Sequence, residues 1–156
     1  MRQDSLVFKD KWGVESFSPK VLRAMLKGIS SDDIWHTLRT ARGAGLNNAV
    51  FTMIGNYQET DEDLALTCAE LGKAYREGLI QLRQTTICTP MEGTELARLA
   101  EAEGWYKPAP DFGPQMLQHS PTPWLSVERM LYWQQKFMEA CPVGVHEVPA
   151  KATVAA

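Results

Sequence analysis

The sequence predicts an α/β protein in which parallel strands are joined by helices. Short apolar runs typical of strands alternate with longer segments of helical spacing, in the order strand–helix–helix–strand–helix–strand–helix–loop–helix. The strands follow one another at about 30 residues, the spacing of right-handed βαβ units. With 156 residues, the chain is long enough for one compact core and too short for two.

The N-terminal part of the chain is predicted to form a strand and a short helix. The run from residue 5 to residue 16 is rich in β-forming residues and is expected to end as a strand near Val14. Ser18 and Pro19 are a strong helix start, and Gly28 is predicted to stop that helix. The positions expected to be buried on it are Val21, Leu22, Met25 and Leu26.

A second helix and a buried strand are predicted next. The helix is expected to begin at Ser30 or Ser31, with Asp32 and Asp33 in its first turn. Its predicted buried residues are Ile34, Leu38 and Ala41. The run NNAVFTMIG is almost continuously apolar and is bounded by polar residues, which predicts a strand covered on both faces.

The remaining elements are a long helix, a third strand and two further helices. Thr60 and Asp63 have the spacing of a capping box, and Gly78 ends the long helix that they start. The run LIQLRQTTIC is the third strand, and Thr94 and Ser126 cap the last two helices. The residues of the three helices that are expected to face inward are Leu64, Leu71, Ala74 and Tyr75, then Leu96, Leu99 and Ala100, then Met130, Leu131, Trp133 and Phe137.

Composition narrows the class of protein. The net charge is −3 with acidic and basic residues interspersed, which argues against a nucleic acid or an anionic membrane as the main partner. No apolar run approaches the roughly 20 residues of a membrane helix, and the N-terminus lacks the pattern of a secretory signal. Cys68, Cys88 and Cys141 are far apart and odd in number, which indicates reduced thiols in a cytoplasmic protein.

Polar residues follow each of the three predicted strands. Glu15 follows the first, the turn GNYQET follows the second, and the loop TPMEGT follows the third. Parallel α/β folds bind ligands at the carboxyl ends of their strands, so these segments are expected to meet at one site. The Glu15 carboxylate can accept two hydrogen bonds from a ribose diol, and Lys27 can face a ligand carboxylate. The alternative interpretation of Glu15 is structural: it is an acid at a helix entry, stabilised by the exposed amides of the helix that follows.

Three segments, in this order and at these distances, resemble the second half of radical S-adenosylmethionine (SAM) enzymes. They are GVESFSPKVLRAMLKG, ARGAGLNNAVFTMIGNYQET and TTICTPMEGTEL. The similarity is greatest to the group that includes coproporphyrinogen dehydrogenase, methylthiotransferases and cobalamin-dependent proteins, and it covers roughly residues 7–140. It implies a partial (β/α) barrel over residues 1–104. The proline-rich run after Gly104 and the helix that follows predict an irregular segment and a packed helix over 105–144. The small, polar composition of residues 145–156 predicts a disordered tail.

The resemblance also implies a set of cofactor contacts. Glu15 matches the residue that reaches the ribose hydroxyls of SAM, and Lys27 matches a basic residue near the methionyl carboxylate. Residues 51–55 match the strand that flanks the sugar and adenine. The implied cofactor-binding residues are Glu15, Ser16, Lys27, Phe51, Gly55, Glu59, Thr89 and Pro90. The sequence departs from the family pattern where Tyr57, Gln58 and Glu92 stand in its turns.

The three-cysteine loop that holds the [4Fe–4S] cluster of that family does not occur in this sequence. We therefore expect a fragment of a radical SAM enzyme that contributes SAM contacts and part of the substrate wall and is not competent alone. The missing N-terminal half of the barrel, or a partner chain, would supply the cluster, and a cobalamin module ahead of it is compatible with the resemblance. An unpaired sheet edge is expected near Leu6, Val7 and Phe8.

Two other functions fit the same pattern of strands and helices. One is a non-catalytic scaffold or binding subunit that completes the barrel of another chain. The other is an unrelated βαβ nucleotide-binding module, against which the lack of a glycine-rich phosphate loop counts.

Overall fold

A computed structural model describes residues 10–106 and 119–143 of the chain. In this part, a three-stranded parallel sheet and five helices follow one another in the predicted order. The elements are β1 (Asp10–Glu15), α1 (Pro19–Ala24), α2 (Ser31–Gly43), β2 (Asn48–Ile54), α3 (Asp61–Arg76), β3 (Leu82–Ile87), α4 (Glu95–Ala102) and α5 (Val127–Ala140). The prediction of an α/β fold with parallel strands is confirmed.

The central strand of the sheet is β2, which pairs in parallel with β1 on one side and β3 on the other. Val50 lies beside both Trp12 and Arg83 in this register. The register shifts between Gly13 and Glu15, which forms a β-bulge at the carboxyl end of β1. Bulges bend and twist a strand, so this one changes the direction of the chain just before α1.

The helices begin where the sequence predicts, because their caps are local side-chain interactions. The Ser18 hydroxyl accepts a hydrogen bond from the amide of Val21, and Ser30 forms a reciprocal capping box with Asp33. The Thr60 amide donates to the Asp63 carboxylate at 2.9 Å. The hydroxyls of Thr94 and Ser126 cap α4 and α5 in the same way as Ser18 caps α1.

The main core lies between one face of the sheet and the helices. Val14, Val50 and Ile54 extend from the strands into this core. The helical residues that meet them include Ile34, Leu38, Leu64, Leu71, Met130 and Phe137. Most of the predicted inward positions of α2 and α3 are therefore confirmed as buried.

The opposite face of the sheet is only partly covered. Side chains alternate across a strand, so Phe51 and Met53 point away from the helix-covered face that holds Val50 and Ile54. Phe51 and Met53 are half-buried, and Thr86 on the same face of β3 is exposed. The prediction that β2 is covered on both faces is therefore wrong in the described part of the chain. We call this partly covered surface the open face.

The two edges of the sheet differ. On β3, the backbone amide of Arg83 donates to the carbonyl of Val143 at 2.7 Å. The Arg83 side chain donates through Nε to the carbonyl of Cys141 at 3.0 Å. The segment after α5 therefore covers the outer edge of β3. β1 forms the other edge of the described sheet. The predicted edge residues Leu6, Val7 and Phe8 and the predicted tail 145–156 lie outside the described residues.

Three details of the predicted elements are wrong. The first helix ends at Ala24, and Leu26 is 88% exposed because it turns the chain in a left-handed conformation with φ of 53°. Leu131 is 41% exposed, since only part of the α5 surface packs on the sheet and on α3. Leu79 and Ile80 are buried but precede β3, which starts at Leu82.

None of the helices in the described ranges combines the length and the apolar character that crossing a membrane requires.

Candidate functional site

A cavity of about 360 Å³ opens beside the carboxyl ends of β2 and β3. Its walls come from the end of α1 at residues 24–26, from Met53 of β2, from Tyr57 in the next loop, from Cys88 after β3, and from α4. We call this cavity the mouth. Its position is the one at which parallel α/β folds bind their ligands.

The apolar wall of the mouth was not predicted as such. It consists of Met25, Leu26, Met53, Met91, Leu96 and Leu99. Helical spacing predicted a core position for Met25, Leu26, Leu96 and Leu99, but these residues are half-buried or exposed. The buried residues of α4 are Ala97 and Ala100. Helical spacing identifies an apolar face, but it does not distinguish a face that packs on a core from one that lines a cavity.

The two charged residues predicted to meet a ligand lie together. The Lys27 ammonium is 3.4 Å from Oε1 of Glu15, and their side chains are 31% and 17% exposed. A β-carbon added at Gly13 would lie 3.0 Å from that oxygen and 3.4 Å from the ammonium. Gly13 thus leaves the space on β1 that the ion pair occupies.

The backbone around this pair is strained. Among the described residues, three non-glycine residues adopt left-handed φ angles: Glu15 at 64°, Leu26 at 53° and Gln58 at 60°. Glu15 and Leu26 flank α1 and position the Glu15–Lys27 pair, and Gln58 follows Tyr57 at the mouth. Such conformations cost about 1–3 kcal/mol each and cluster at functional sites, which supports this end of the sheet as the site of function.

The structure places Ser16 away from the mouth. Its side chain is fully buried, with the hydroxyl 3.0 Å from the Thr67 hydroxyl of α3 and accepting from the amide of Ser18 at 3.1 Å. The Thr67 hydroxyl also accepts from the Phe17 amide. Ser16 therefore fixes the start of α1 against α3.

Glu59 shapes the loop after β2 from inside the protein. Its side chain is fully buried, with Oε2 accepting from the amides of Gly55 at 2.7 Å and Asn56 at 3.2 Å. Oε1 accepts from the side-chain amide of Asn56. Burial outweighs these hydrogen bonds and raises the pKa of Glu59 to about 7. Glu59 therefore holds the backbone that carries Tyr57.

The other predicted cofactor-binding residues have mixed positions. Phe51 is half-buried on the open face, Thr89 lines the mouth, and Pro90 is buried. Gly55 adopts a φ of 87°, and a β-carbon there would lie 3.1 Å from the Met130 methyl group. Among the eight predicted residues, the structure brings Glu15 and Lys27 into contact, and it places Thr89 on the wall of the mouth.

Cys88 lines the mouth and lies close enough to the carboxylates of Glu59 and Glu15 for their charges to affect its pKa. Its pKa is raised to about 12, first by burial and then by the charges of Glu59 and Glu15. The thiolate is therefore strongly disfavoured at neutral pH. In residues 10–106 and 119–143, His, Cys, Asp and Glu side chains do not group in threes that could hold a metal ion.

No protein-family model matches the sequence. A curated protein of Pyrococcus horikoshii, named uncharacterized methyltransferase PH0819, is 34% identical to this chain over 91 residues. The match covers 58% of this chain and 19% of that protein. The chain is thus similar, over somewhat more than half of its length, to about one fifth of a protein named as a methyltransferase.

Proposed function

We propose that this chain forms one wall of a SAM-binding site in a radical SAM enzyme, with methyl transfer as the reaction class. The resemblance of three motifs to the second half of that family supports the cofactor. The similarity to a methyltransferase-named protein supports an enzyme that uses a methyl donor. The remaining strands of the barrel would come from segments that this sequence does not contain.

The shape of the sheet supports a partial barrel. Parallel sheets are normally covered on both faces, yet the open face of this sheet carries half-buried Phe51 and Met53 and exposed Thr86. In a barrel, such a face lines the interior and is enclosed by the remaining strands. The β1 edge, opposite the edge covered by the segment after α5, is where those strands would pair.

The Glu15–Lys27 pair is the observation that carries the proposal. It lies at the carboxyl end of β1, beside Gly13, with both side chains partly accessible. A carboxylate there can accept both hydrogen bonds of a ribose diol, and the ammonium can face the carboxylate of the methionyl group. A partly exposed pair of this length contributes no more than about 1 kcal/mol, so a ligand can separate the two charges at little cost.

The residues of this chain do not fit an iron–sulfur cluster. Such a cluster needs several thiolate ligands close together. The described cysteines do not belong to a group of side chains that could hold a metal ion. Burial also raises the pKa of Cys88 to about 12 and that of Cys141 to about 11, which disfavours their thiolate forms. The chain would therefore bind and orient SAM, and any cluster chemistry would belong to the rest of the enzyme.

A titration of the ¹⁵N-labelled chain with SAM, followed by NMR, tests the proposal. We expect the amides of Gly13, Glu15, Lys27 and Thr89 to shift, and we expect Glu15→Gln and Lys27→Met to weaken binding severalfold. Lys136→Met, which removes a lysine paired with Glu139 on α5, serves as the matched control and should leave binding unchanged. ATP, which has the same nucleoside without a methionyl group, should produce weaker shifts.

A scaffold subunit that completes the barrel of another chain is the second candidate, because the β1 edge and the open face suit that role as well. The same titration separates the two functions. If SAM produces no shifts near Glu15, or shifts that Glu15→Gln leaves unchanged, the cofactor-binding proposal is wrong and the scaffold role gains support.

A further inference from the structure

Four side chains, of which Tyr57 also lines the mouth, form a closed ring of contacts, and we call them the rim cluster. They are Tyr57, Glu103, Trp105 and Trp124. The ring of Trp124 lies 5.1 Å from that of Tyr57 and 6.2 Å from that of Trp105, at interplanar angles of 82° and 73°. Glu103 joins Tyr57 to Trp105, since its two carboxylate oxygens accept hydrogen bonds from the Tyr57 hydroxyl at 2.6 Å and from the Trp105 indole at 2.9 Å.

Three separate segments position the rim cluster. Glu103 caps the end of α4, and the Trp105 amide donates to a carbonyl of that helix. Trp124 lies in a turn in which the Thr122 hydroxyl accepts from the amides of residues 124 and 125. Tyr57 follows the loop that buried Glu59 holds. The arrangement is therefore defined by the fold and does not depend on one flexible side chain.

At two other places in the described chain, an indole paired with a carboxylate has a protein cation beside it. The Trp35 indole donates to the Glu70 carboxylate at 2.6 Å, and the cationic groups of Arg39 and Lys73 each lie 4.8 Å from its ring centroid. An indole hydrogen-bonded to a carboxylate thus has cations over its face.

The second place is at the junction of α3 and α5. The Trp133 indole donates to the Asp61 carboxylate at 2.6 Å, and the Arg129 guanidinium both donates to that carboxylate and lies 6.0 Å from the Trp133 ring centroid. At both places, therefore, an indole, a carboxylate and a cation of the protein lie together.

The rim cluster repeats the indole–carboxylate pair, and no cation from the described residues accompanies it. Across residues 10–106 and 119–143, no lysine or arginine pairs with Glu103 or lies over the rings of the rim cluster. Hydrogen bonds from Tyr57 and then Trp105 hold the pKa of Glu103 below its ordinary value, so the group is ionised at neutral pH. Aromatic faces beside a carboxylate attract organic cations, particularly alkylated ammonium groups.

We propose that the rim cluster is a binding site for an organic cation that carries an alkylated ammonium group. The ligand would provide the charge that Arg39 and Lys73 provide to Trp35. Because Tyr57 lines both the rim cluster and the mouth, the cation would lie at the entrance to the cavity. This inference does not rest on the proposed SAM site.

Choline and its neutral analogue 3,3-dimethylbutan-1-ol form a matched pair of probes for the intact chain. The two molecules have nearly the same shape and differ in charge. We expect choline to shift the indole N–H resonances of Trp105 and Trp124 saturably, while those of Trp35 and Trp133 stay in place and the neutral alcohol produces no saturable shift. Equal shifts with both probes, or no shift at Trp105 and Trp124, would overturn the proposal.

A pair of variants tests the role of the charge. Glu103→Gln keeps one of the two acceptor oxygens but removes the charge, and should weaken choline binding roughly fivefold. Glu70→Gln, at the Trp35 pair that has its own cations, should leave choline affinity unchanged. Circular dichroism verifies that both variants fold, and the comparison of choline with its neutral analogue needs no variant at all. Equal affinity of Glu103→Gln and the native chain contradicts the proposal.

Discussion

The Lys27 ammonium lies 3.4 Å from Oε1 of Glu15, in the space beside Gly13 where a β-carbon would come within 3.0 Å of the same oxygen. The two charges are twelve positions apart along the chain, with the whole of α1 between them. The bulge at the end of β1 and the left-handed turn at Leu26 bring them together. The pair thereby links a strained backbone to the two charged groups that we propose bind SAM.

Replacement of Glu15 separates backbone strain from ligand binding. Because Glu15 has a φ of 64°, Glu15→Gly should be more stable than Glu15→Ala by about 1 kcal/mol, the reverse of the usual preference within a strand. Urea denaturation measures the difference, and both variants should lose the SAM-induced NMR shifts. An alanine variant as stable as the glycine variant would show that the left-handed conformation carries no strain.

Two glycines with similar φ angles form a matched pair for the packing beside the mouth. Gly55→Ala should destabilise the fold by about 1 kcal/mol from its φ of 87°, and further because its β-carbon would lie 3.1 Å from Met130. Gly45→Ala has a φ of 80° and no atom within 4 Å, so it should cost only the first part. The difference between the two free energies of unfolding measures the Met130 contact, and a difference of zero would show that Met130 moves aside freely.

Glu59 should give the fold a distinctive pH dependence. Its pKa is about 7 in the folded chain against an ordinary value of 4.5, so the folded state binds the proton more tightly. This contribution to stability is fully present below pH 4.5, falls as the pH rises and is lost above pH 7, a change of about 3 kcal/mol at most. The neighbouring charge of Asp63 acts in the same direction.

Glu59→Gln isolates this effect, since glutamine cannot ionise. The free energy of unfolding of the native chain minus that of the variant should fall between pH 4.5 and pH 7 and then level off, as measured by urea denaturation across the pH range. A difference that stays constant or rises with pH would mean that folding does not raise the pKa of Glu59.

The cysteines should react slowly in the folded chain. Burial and nearby carboxylates raise the pKa of Cys88 to about 12, and burial raises that of Cys141 to about 11 and that of Cys68 above its ordinary value. At pH 8 the thiolate fraction of Cys88 should be on the order of a thousandfold below that of a free thiol. Labelling with dithionitrobenzoate, with the chain in urea as the control, measures this, and rapid reaction of one thiol in the folded chain would contradict it.

Much of the candidate site could not be predicted from the sequence, because it depends on contacts between residues that are far apart in the chain. Ser16 matched a cofactor-binding position, yet its environment is set by Thr67, 51 positions away. Tyr57, Trp105 and Trp124 lie on three separate segments of the chain, and only the fold brings them together around Glu103. Residue type and spacing contain no signal for such a cluster.

The order of the elements, the starts of the helices and the position of Glu15 at the end of β1 were determined by the sequence alone. Those features depend on caps, prolines and apolar periodicity within a few residues. The tertiary structure decided which polar groups are buried, as with Glu59, and which apolar ones are exposed, as with Leu26. Burial depends on contacts between residues that are distant in the chain, and these contacts form only in the folded protein.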